Sequence, residues 1–372
     1  MDKNLKKIII ISAVNFRAGG PLSVLQDCLS YAHKHLSSHY QVIALVHKAE
    51  LFHDVDNIKF IEFPKSASSY LYRLYYEYFY FKRVSLQYNP FLWLSLHDMT
   101  PNVQAKVRAV YCHNPSPFYN ITLKEFYLEP TFALFNFFYK YLYAINIKKN
   151  QFVIVQQEWL RKKFKSMYGI KNIIVAHPEI IFKPQEIPNE LHKKEIYHFF
   201  FPTLPRIFKN IELICEAVKI LNNKKISNFE LALTLDGTEN RYAQSLVNNY
   251  KNIKNINFIG KQPRNQVFAI YQHTDCLIFP SKLETWGMPI TEFKNFNKPI
   301  LVADLQYAHE TVGSYKKIKF FNPTDSYDLA NKMEQALTSN IVFDAPKVVP
   351  ISFPYTENWD GLFKILLKTN HE

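Results

Sequence analysis

Glycine is scarce in this chain, with eight residues among 372. Each glycine that follows a predicted strand is therefore a specific signal for a turn or a close backbone approach. The dinucleotide fingerprint GxGxxG is missing, which removes the usual sign of a nicotinamide or flavin cofactor. The four cysteines form no CxxC pair and lie in apolar segments. They predict buried core thiols of a reduced, cytoplasmic protein, not a zinc site or a disulfide framework.

Long apolar runs are also missing. No stretch of about 18 apolar residues without charge occurs, so we predict no transmembrane helix. The apolar run near the N-terminus has no small-residue cleavage site, and Asn15 and Arg17 follow it at once. This favours a buried first strand over a signal peptide.

What the chain has in excess is positive charge, with a formal net charge of +13 and an isoelectric point near 9.3. This balance favours anionic partners, but it does not choose among nucleic acid, acidic lipid headgroups and phosphorylated substrates. No known nucleic-acid-binding motif is present, so we expect no nucleic-acid partner. A basic nucleic-acid-binding protein stays open as an alternative function.

Apolar strands alternate with helices along the whole chain. In the first half, strands are predicted at 6–12, 40–46, 58–64, 91–97, 108–113, 151–156 and 172–177, with a helix at 21–36. In the second half, strands are predicted at 197–202, 229–235, 256–260, 275–280 and 299–304, and helices at 210–222, 239–250, 263–273, 289–297 and 325–338. Such alternation predicts an α/β fold with parallel sheets covered on both faces.

A proline-rich, charged stretch at 178–195 separates the two halves and is predicted to be a linker. The length also exceeds that of one ordinary domain. We therefore predict two Rossmann-like domains facing a central cleft, over 1–180 and 181–350, followed by an amphipathic C-terminal segment within 351–372. Ligands are expected at the carboxyl ends of the strands.

The first glycine signal is Gly19-Gly20, between the first strand and the first helix. A flexible turn at this place lets the backbone approach a ligand. A tight turn without a ligand is the alternative interpretation.

The strongest local signal is SKLETWGMPITE at 281–292, which follows a strand and leads into a helix. The N–H groups of Gly287 and Met288 are expected at the start of that helix, where anions bind, and Pro289 suits the same helix start. Glu284 and Glu292 are placed to accept hydrogen bonds from hydroxyls of a bound sugar nucleotide. Glu292 alone also fits a simpler role, the balancing of the helix dipole.

ETWGMPITE resembles the E-x7-E motif of retaining glycosyltransferases with the GT-B fold, in particular family 4, the glycosyl transferases group 1. FFFPTLPRIFKNIELICEAVKIL at 199–221 resembles the first strand–loop–helix of that family's donor domain, with Arg206 and Lys209 at the positions that hold the donor diphosphate. Pro205 and Asn210 stand where the common form has glycine. LTLDGTEN and NFIGKQP resemble the next two landmarks, at Gly237 and Gly260.

The resemblance covers nearly the whole chain and implies a division of labour. It implies that residues 1–180 bind the acceptor, that residues 181–350 bind the nucleotide-sugar, and that the final helix packs back on the first domain. Glu292 is then expected to contact the ribose and Glu284 the transferred sugar. Arg206 and Lys209 are expected to stabilise the departing diphosphate without a metal.

The other wall of the site is expected from AVYCHNPSPFY at 109–119, which places His113 and Asn114 at a strand end. The resemblance implies that a histidine lies close to the donor sugar, and His113 is the match. His97 and Asp98 follow the preceding strand and, with Asn114, are expected to shape the acceptor side. A structural role without ligand contact is the alternative for both histidines.

Asp54-Val55-Asp56 matches the DxD pattern that holds a metal in another glycosyltransferase fold, but it precedes a mid-domain strand. We predict a solvated loop there, no dedicated metal site and no cofactor, the nucleotide-sugar being a co-substrate.

Two stretches, 68–83 and 131–149, combine aromatic rings with Lys and Arg. They fit either a membrane interface or core helices with charged edges. The predicted localisation is therefore cytoplasmic, with peripheral contact to the cytoplasmic face of the inner membrane left open.

The function expected from the resemblance is that of a hexosyltransferase. It implies transfer of a hexose or deoxyhexose, with retention, to a glycan or lipid-linked acceptor in bacterial surface polysaccharide (O-antigen or capsule) biosynthesis. A sugar-nucleotide epimerase or phosphorylase of similar fold is the first alternative.

Overall fold

The computed structural model describes residues 6–53, 55–178 and 196–368. The chain divides into two compact units. The first consists of Met1–Pro117, Phe137–Glu179 and Ile351–Glu372, and the second of Phe118–Asn136 and Ile180–Pro350. The predicted linker at 178–195 and Asp54 of the DxD pattern fall on residues outside the described ranges, Pro178 excepted. Residues 118–136, which the sequence assigned to the first domain, group with the second unit.

The first unit contains an eight-stranded parallel sheet in the order β14-β7-β6-β5-β4-β1-β2-β3. Its strands are β1 (Lys7–Ala13), β2 (Tyr40–Val46), β3 (Ile58–Glu62), β4 (Leu92–Ser95), β5 (Val107–Cys112), β6 (Phe152–Val155), β7 (Ile173–Ala176) and β14 (Tyr355–Thr356). The strand order reverses direction between β1 and β4, and open parallel sheets bind ligands at such a point.

The first sheet is buried on both faces, because alternate residues of a strand point to opposite sides. Ile9 and Ile11 of β1 belong to one core cluster, while Ile10 belongs to another with Trp93 and Phe81. This explains why β1 is a continuous apolar run and not an alternating one.

Helices cover this sheet. They are α1 (Gly19–His35), α2 (Tyr70–Tyr75), α3 (Phe81–Tyr88), α6 (Glu158–Tyr168) and α13 (Trp359–Leu367), together with the C-terminal part of α5 (Pro130–Ala144). A π-helical turn at Tyr76–Tyr80 joins α2 to α3. Helix α13 packs in the core of the first unit, where the Phe363 ring stacks on Tyr31 at 5.5 Å.

The second unit contains a six-stranded parallel sheet in the order β10-β9-β8-β11-β12-β13. Its strands are β8 (Tyr197–Phe201), β9 (Phe229–Leu233), β10 (Ile256–Phe258), β11 (Cys276–Phe279), β12 (Ile300–Ala303) and β13 (Ile318–Phe321). Counted from β8, the order is 3-2-1-4-5-6, the arrangement of nucleotide-binding α/β sheets. The direction reverses between β8 and β11.

Except for α4, which precedes the sheet in the chain, the helices of the second unit follow its strands, as expected for parallel crossovers. They are α4 (Leu123–Leu128), α7 (Ile211–Asn223), α8 (Arg241–Tyr250), α9 (Arg264–His273), α10 (Met288–Lys294), α11 (Gln306–Val312) and α12 (Ser326–Leu337). The predicted α/β class with two Rossmann-like parallel sheets is therefore confirmed.

The short elements that were not predicted include β13, β14, α4 and α11. Strand β13 is only four residues long and contains a lysine, Lys319, whose Nζ pairs with Asp344 at 2.8 Å. So short a segment carries too little periodicity to be separated from a loop. Helix α1 begins at Gly19, two residues before the predicted start, and α10 ends three residues early, at Lys294.

All four cysteines are buried and free, as predicted, and burial raises the pKa of each thiol. Within the described ranges, no helix has both the length and the apolar character needed to cross a bilayer.

Candidate functional site

The second unit brings two of the predicted segments to the same place. Strand β8 leads into the loop that carries Arg206 and Lys209, and its neighbour β11 leads into the loop that carries Glu284. Both loops lie at the carboxyl ends of the two strands between which the sheet reverses direction. Because ligands of open α/β sheets bind at this point, it is the candidate site of the second unit.

Lys209 forms an ion pair with Glu284, through Nζ and Oε1. Both side chains are mostly buried, with 18% and 14% of their areas exposed. The Lys209 ammonium also lies over the Phe279 ring, 5.8 Å from its centroid. The structure therefore unites the predicted phosphate ligand and the predicted sugar ligand in one electrostatic contact.

Asn210 stands where the related motif has glycine, and its backbone explains why. Its φ is +57° and its ψ 39°, a left-handed conformation that asparagine tolerates better than other residues with a side chain. Its amide also donates to the carbonyl oxygens of Pro280 and Pro323, at 3.2 and 2.9 Å. Asparagine in place of glycine thus preserves the turn, and its side chain bonds the turn to the loops after β11 and β13.

Arg206 has a partner that the sequence did not suggest. Glu129, which follows α4, accepts hydrogen bonds from Arg206 Nη1 at 3.1 Å and from the backbone N–H of Ile207 at 2.9 Å. Asn240 Nδ2 lies 3.4 Å from the same carboxylate. Glu129 is 6% exposed, whereas the Arg206 side chain is 52% exposed. Glu129 therefore fixes the position of the Arg206 guanidinium, while about half of the side chain stays accessible to a ligand.

Glu292 is the fifth of the seven residues of α10, so it lies outside the first turn, where a balance of the helix dipole would place it. Its side chain is largely buried. Its Oε1 accepts from Arg264 Nη2 at 3.1 Å and its Oε2 from the Tyr271 hydroxyl at 3.2 Å. Burial raises the pKa of Glu292, and the nearby Arg264 opposes that shift. Arg264 and Tyr271 were not predicted, since both lie on α9, more than 20 residues earlier in the chain.

The loop before α10 is shaped by Gly287, whose φ is +88°. A Cβ there would approach Ile290 Cδ1 to 3.2 Å and the Phe279 ring to 3.5 Å, so glycine is required by conformation and by space. Met288 and Pro289 are the first two residues of the helix. The predicted anion site at Gly287-Met288 therefore lies at a helix start.

Two other predicted glycines occupy neighbouring strand ends. Gly237 follows β9 with φ +95°, and Gly260 follows β10 with φ +68°. The Gly260 N–H donates to Leu235 O at 3.2 Å, which holds the two loops together. These glycines lie one and two strands away from β8 in the sheet order, on the side opposite β11.

The first unit places its predicted residues at its own reversal point. Gly19 and Gly20 are exposed at the start of α1, after β1, and a Cβ on either would meet nothing within 4 Å. Gly19 has φ +69°. His97 and Asp98 follow β4, the other strand at this point, and His113 and Asn114 follow β5.

Asp98 organises this edge of the first unit. Its carboxylate accepts hydrogen bonds from the N–H groups of His113 and Asn114, at 2.5 and 3.1 Å, and from the hydroxyls of Tyr139 and Tyr143, both at 2.8 Å. With this many bonds already made, Asp98 fits a positioning role for the His113 loop better than direct contact with an acceptor.

His97 is fully buried. Its Nε2 lies 3.1 Å from Ser12 Oγ and 3.1 Å from Glu77 Oε1, and its Nδ1 lies 3.3 Å from Arg73 Nη2. Burial, followed by the charge of Arg73, lowers its pKa. With no exposed surface, His97 can influence an acceptor only through the residues that it touches.

His113 packs against the Tyr111 ring, at 4.1 Å between centroids, and against Phe16 at 6.0 Å. Burial lowers its pKa to about 4. Its Nε2 is buried, and no hydrogen-bond partner for it occurs among the residues that the structure describes. A neutral imidazole with an unused ring nitrogen is suited to one hydrogen bond with a ligand.

Comparison with known proteins shows which proteins this chain is similar to. Residues 183–347 match the family model described as glycosyl transferases group 1. A curated relative, the O-antigen chain mannosyltransferase RfbU of Salmonella typhimurium, is 21% identical over 211 residues, which are 55% of this chain and 55% of that protein. The match thus spans about half of the relative's length.

Two solved structures show the fold. WaaG, a glycosyltransferase involved in lipopolysaccharide biosynthesis, superimposes with a TM-score of 0.65 at 13% identity, over 89% of this chain and 90% of WaaG. HepE of Anabaena, solved with UDP-glucose, superimposes with a TM-score of 0.61 at 12% identity, over 89% and 90% of the two chains. The chain has the GT-B fold class that these structures share.

Proposed function

We propose that this chain, whose residues 183–347 match the family model described as glycosyl transferases group 1, moves a hexose or deoxyhexose from a nucleotide-sugar to a glycan or lipid-linked acceptor. The observation that carries the proposal is the convergence of Arg206, Lys209 and Glu284 at the reversal point of the second sheet. RfbU is named for mannose transfer and HepE was solved with UDP-glucose, which supports a hexose.

The second unit supplies the charge control. A departing nucleoside diphosphate gains negative charge, and the Arg206 guanidinium and the Lys209 ammonium stabilise it where it forms. Because these two fixed cations perform that task, we propose that transfer needs no metal and continues in a chelator. Glu284 faces the transferred sugar, Glu292 the ribose, and the N–H groups at Gly287-Met288 the phosphate or the sugar.

The first unit supplies the acceptor side and part of the donor site. The Gly19-Gly20 turn leaves room for the backbone to approach the donor, and His113, as a neutral imidazole, forms one hydrogen bond with a hydroxyl of the donor sugar. Asp98 holds the loop that carries His113 and Asn114. Transfer with retention and a place in bacterial surface polysaccharide assembly complete the proposal. Both were implied by the family resemblance.

Contact with the cytoplasmic face of a membrane is part of the proposal. Both aromatic-basic stretches expose large rings: Tyr75 and Phe79 in the first, Phe138 and Tyr141 in the second, each between 47% and 68% exposed. Core helices would bury these rings. Aromatic side chains beside lysines fit the headgroup region of a membrane with anionic lipids.

The test is a thermal-shift panel of UDP-, GDP-, dTDP- and ADP-sugars on the full chain. A donor at 100 times its dissociation constant stabilises the folded state by about 2.7 kcal/mol. We expect one nucleotide series to shift the wild type and the Lys219→Ala control, but not Lys209→Ala. Lys219 is a matched control because it is a half-exposed lysine, paired with Glu216 one helical turn away. No shift with any donor overturns the proposal.

Donor supplied without acceptor separates the transferase from the alternative. An epimerase converts the donor to its epimer in that mixture, whereas a transferase returns donor and, slowly, free sugar and nucleotide. The anomeric configuration of the transferred sugar, measured by NMR on the product, tests retention.

A further inference from the structure

A pocket in the first unit is not accounted for by the sites above. It opens beside the carboxyl end of β1, between the loop after that strand and the start of α2. Its lining is polar and contains no acidic side chain: Asn15, Arg17, Ser66, Ser68, Ser69, Tyr70 and Arg73.

Arg73 forms the buried end of this pocket. The residue is 7% exposed, and its Nη2 donates to the carbonyl oxygen of His97 at 2.8 Å. Its Nε is buried and has no hydrogen-bond partner among the described residues, and the same holds for Asn15 Oδ1. A buried guanidinium with an unused N–H group beside a pocket is an incomplete site, since buried polar groups are normally paired.

The charge of Arg73 is also incompletely balanced. Glu77, one turn further along the helix, is 0% exposed, and burial raises its pKa to about 8, against the opposing effect of Arg73. Its carboxyl group is therefore largely neutral near pH 7. Asp98 attracts Arg73, but its carboxylate already accepts the four hydrogen bonds described above. An anion in the pocket would supply the missing partner.

Further donors surround the same space. Ser69 Oγ accepts a hydrogen bond from the N–H of Leu71 at 3.2 Å, which leaves its own O–H able to donate. Arg17 is exposed, so its guanidinium is accessible to a ligand that enters. Arg17, Ser69 and Arg73 together match the many acceptor oxygens of a phosphate group.

At the start of α2, the rim of the pocket offers an apolar surface. Tyr70, which lines the pocket, is 63% exposed, and Leu71, the next residue in the chain, is 76% exposed. A free inorganic anion gains nothing from such a rim, whereas a phosphate attached to an apolar chain does, because burial of that chain removes apolar area from water.

We propose that this pocket binds the phosphate or diphosphate group of an amphiphilic acceptor, with the apolar chain of that acceptor on Tyr70 and Leu71. The role of this ligand as an acceptor rests on the proposed function, whereas its binding in the pocket does not. The exposed rings of the first aromatic-basic stretch continue along the chain from this rim, which suits a ligand drawn from a membrane surface.

Calorimetric titration of the full chain with geranyl diphosphate and with inorganic pyrophosphate tests the site. Lys209→Ala serves as the background, so that binding in the second unit is suppressed. We expect Arg17→Gln to lower the affinity for geranyl diphosphate by about tenfold, because one hydrogen bond to a charged group is lost. Arg17→Lys should restore part of that affinity. Lys34→Gln is the control, because Lys34 is an exposed cation near the far end of α1. Equal affinities for Arg17→Gln and Lys34→Gln overturn the site.

The two ligands distinguish the source of the phosphate. Geranyl diphosphate is expected to bind about tenfold tighter than pyrophosphate, and Leu71→Ser to reduce that preference. Equal affinities of both ligands for the Lys209→Ala variant overturn the proposed contact between the apolar chain of the ligand and the rim of the pocket. If Arg17 controls geranyl diphosphate binding while no nucleotide-sugar stabilises the wild type, the proposed function fails and the pocket stands.

Discussion

Lys209 and Glu284 neutralise each other at the carboxyl ends of β8 and β11, so a donor phosphate must compete with a carboxylate for the lysine. Because both side chains are mostly shielded from water, the attraction between their charges is screened less than in a surface ion pair. Glu284 is therefore expected to set the strength of the proposed phosphate site, in addition to its proposed contact with the sugar.

Glu284→Gln is therefore expected to separate binding from transfer. Removal of the carboxylate charge frees Lys209, and the affinity for the matching nucleoside diphosphate should rise several-fold. The turnover number should fall by about tenfold to a hundredfold, since the sugar loses its charged partner. Titration of the diphosphate and initial rates measure the two effects. Glu216→Gln, a surface carboxylate paired with Lys219, should change neither, and a parallel fall of affinity and turnover would contradict the competition.

Glu129 should matter more for stability than the arginine it holds. Glu129→Ala leaves the buried N–H of Ile207 without its acceptor, which costs about 1–3 kcal/mol in the free energy of unfolding. Arg206→Ala removes a half-exposed cation and should cost under about 1 kcal/mol. Urea unfolding of both variants and of the double variant measures the difference. A larger loss for Arg206→Ala would show that the carboxylate does not organise the loop.

Asn210 allows the backbone to be tested apart from the side chain. Asn210→Gly and Asn210→Ala both lose the hydrogen bonds to Pro280 and Pro323, but only alanine must adopt a φ of +57° with a Cβ. Alanine should therefore be less stable than glycine by about 1 kcal/mol. Equal unfolding midpoints for the two variants would mean that the turn relaxes.

These residues show what the sequence could and could not predict. Arg206, Lys209 and Glu284 were predicted from motifs that resemble those of a known family, and the structure places them in the loops after the adjacent strands β8 and β11. Glu129 was missed because its partner lies 77 residues away in the chain, with no local pattern to link them. Arg73 and Glu77 have the i, i+4 spacing of a solvated ion pair, yet the structure buries both beside His97.

Glu77 predicts a pH dependence of stability with a definite sign. Its pKa is raised to about 8 in the folded chain from an ordinary value near 4.5. Between those values the folded state binds more protons than the unfolded state, so this group's contribution is present below pH 4.5 and is lost as pH rises through 8. Urea midpoints at pH 5.0, 6.5 and 8.0 should fall less steeply for Glu77→Gln than for the wild type. Parallel profiles would show that Glu77 is ionised in the folded chain.

His113 predicts a pH dependence of stability with the opposite sign to that of Glu77. Burial lowers its pKa to about 4 in the folded chain, so between pH 4 and 6.5 the unfolded state binds the extra proton, and stability falls as pH decreases. The imidazole should then be neutral across the working range. We expect His113→Ala to lower turnover by about tenfold or more, since one hydrogen bond to the reacting sugar is lost.

The pH profile identifies the state in which His113 acts. Between pH 5.5 and 8, the pH profiles of kcat/KM for the wild type and for His113→Gln should show the same transitions. A neutral imidazole that only forms a hydrogen bond adds no ionisation of its own in this range. His33→Gln, a change in another partly buried histidine, is the control. A wild-type transition near pH 6.5 that is absent from His113→Gln would mean that the imidazole is charged and acts as a general acid. Full activity of His113→Ala would remove the residue from the reaction.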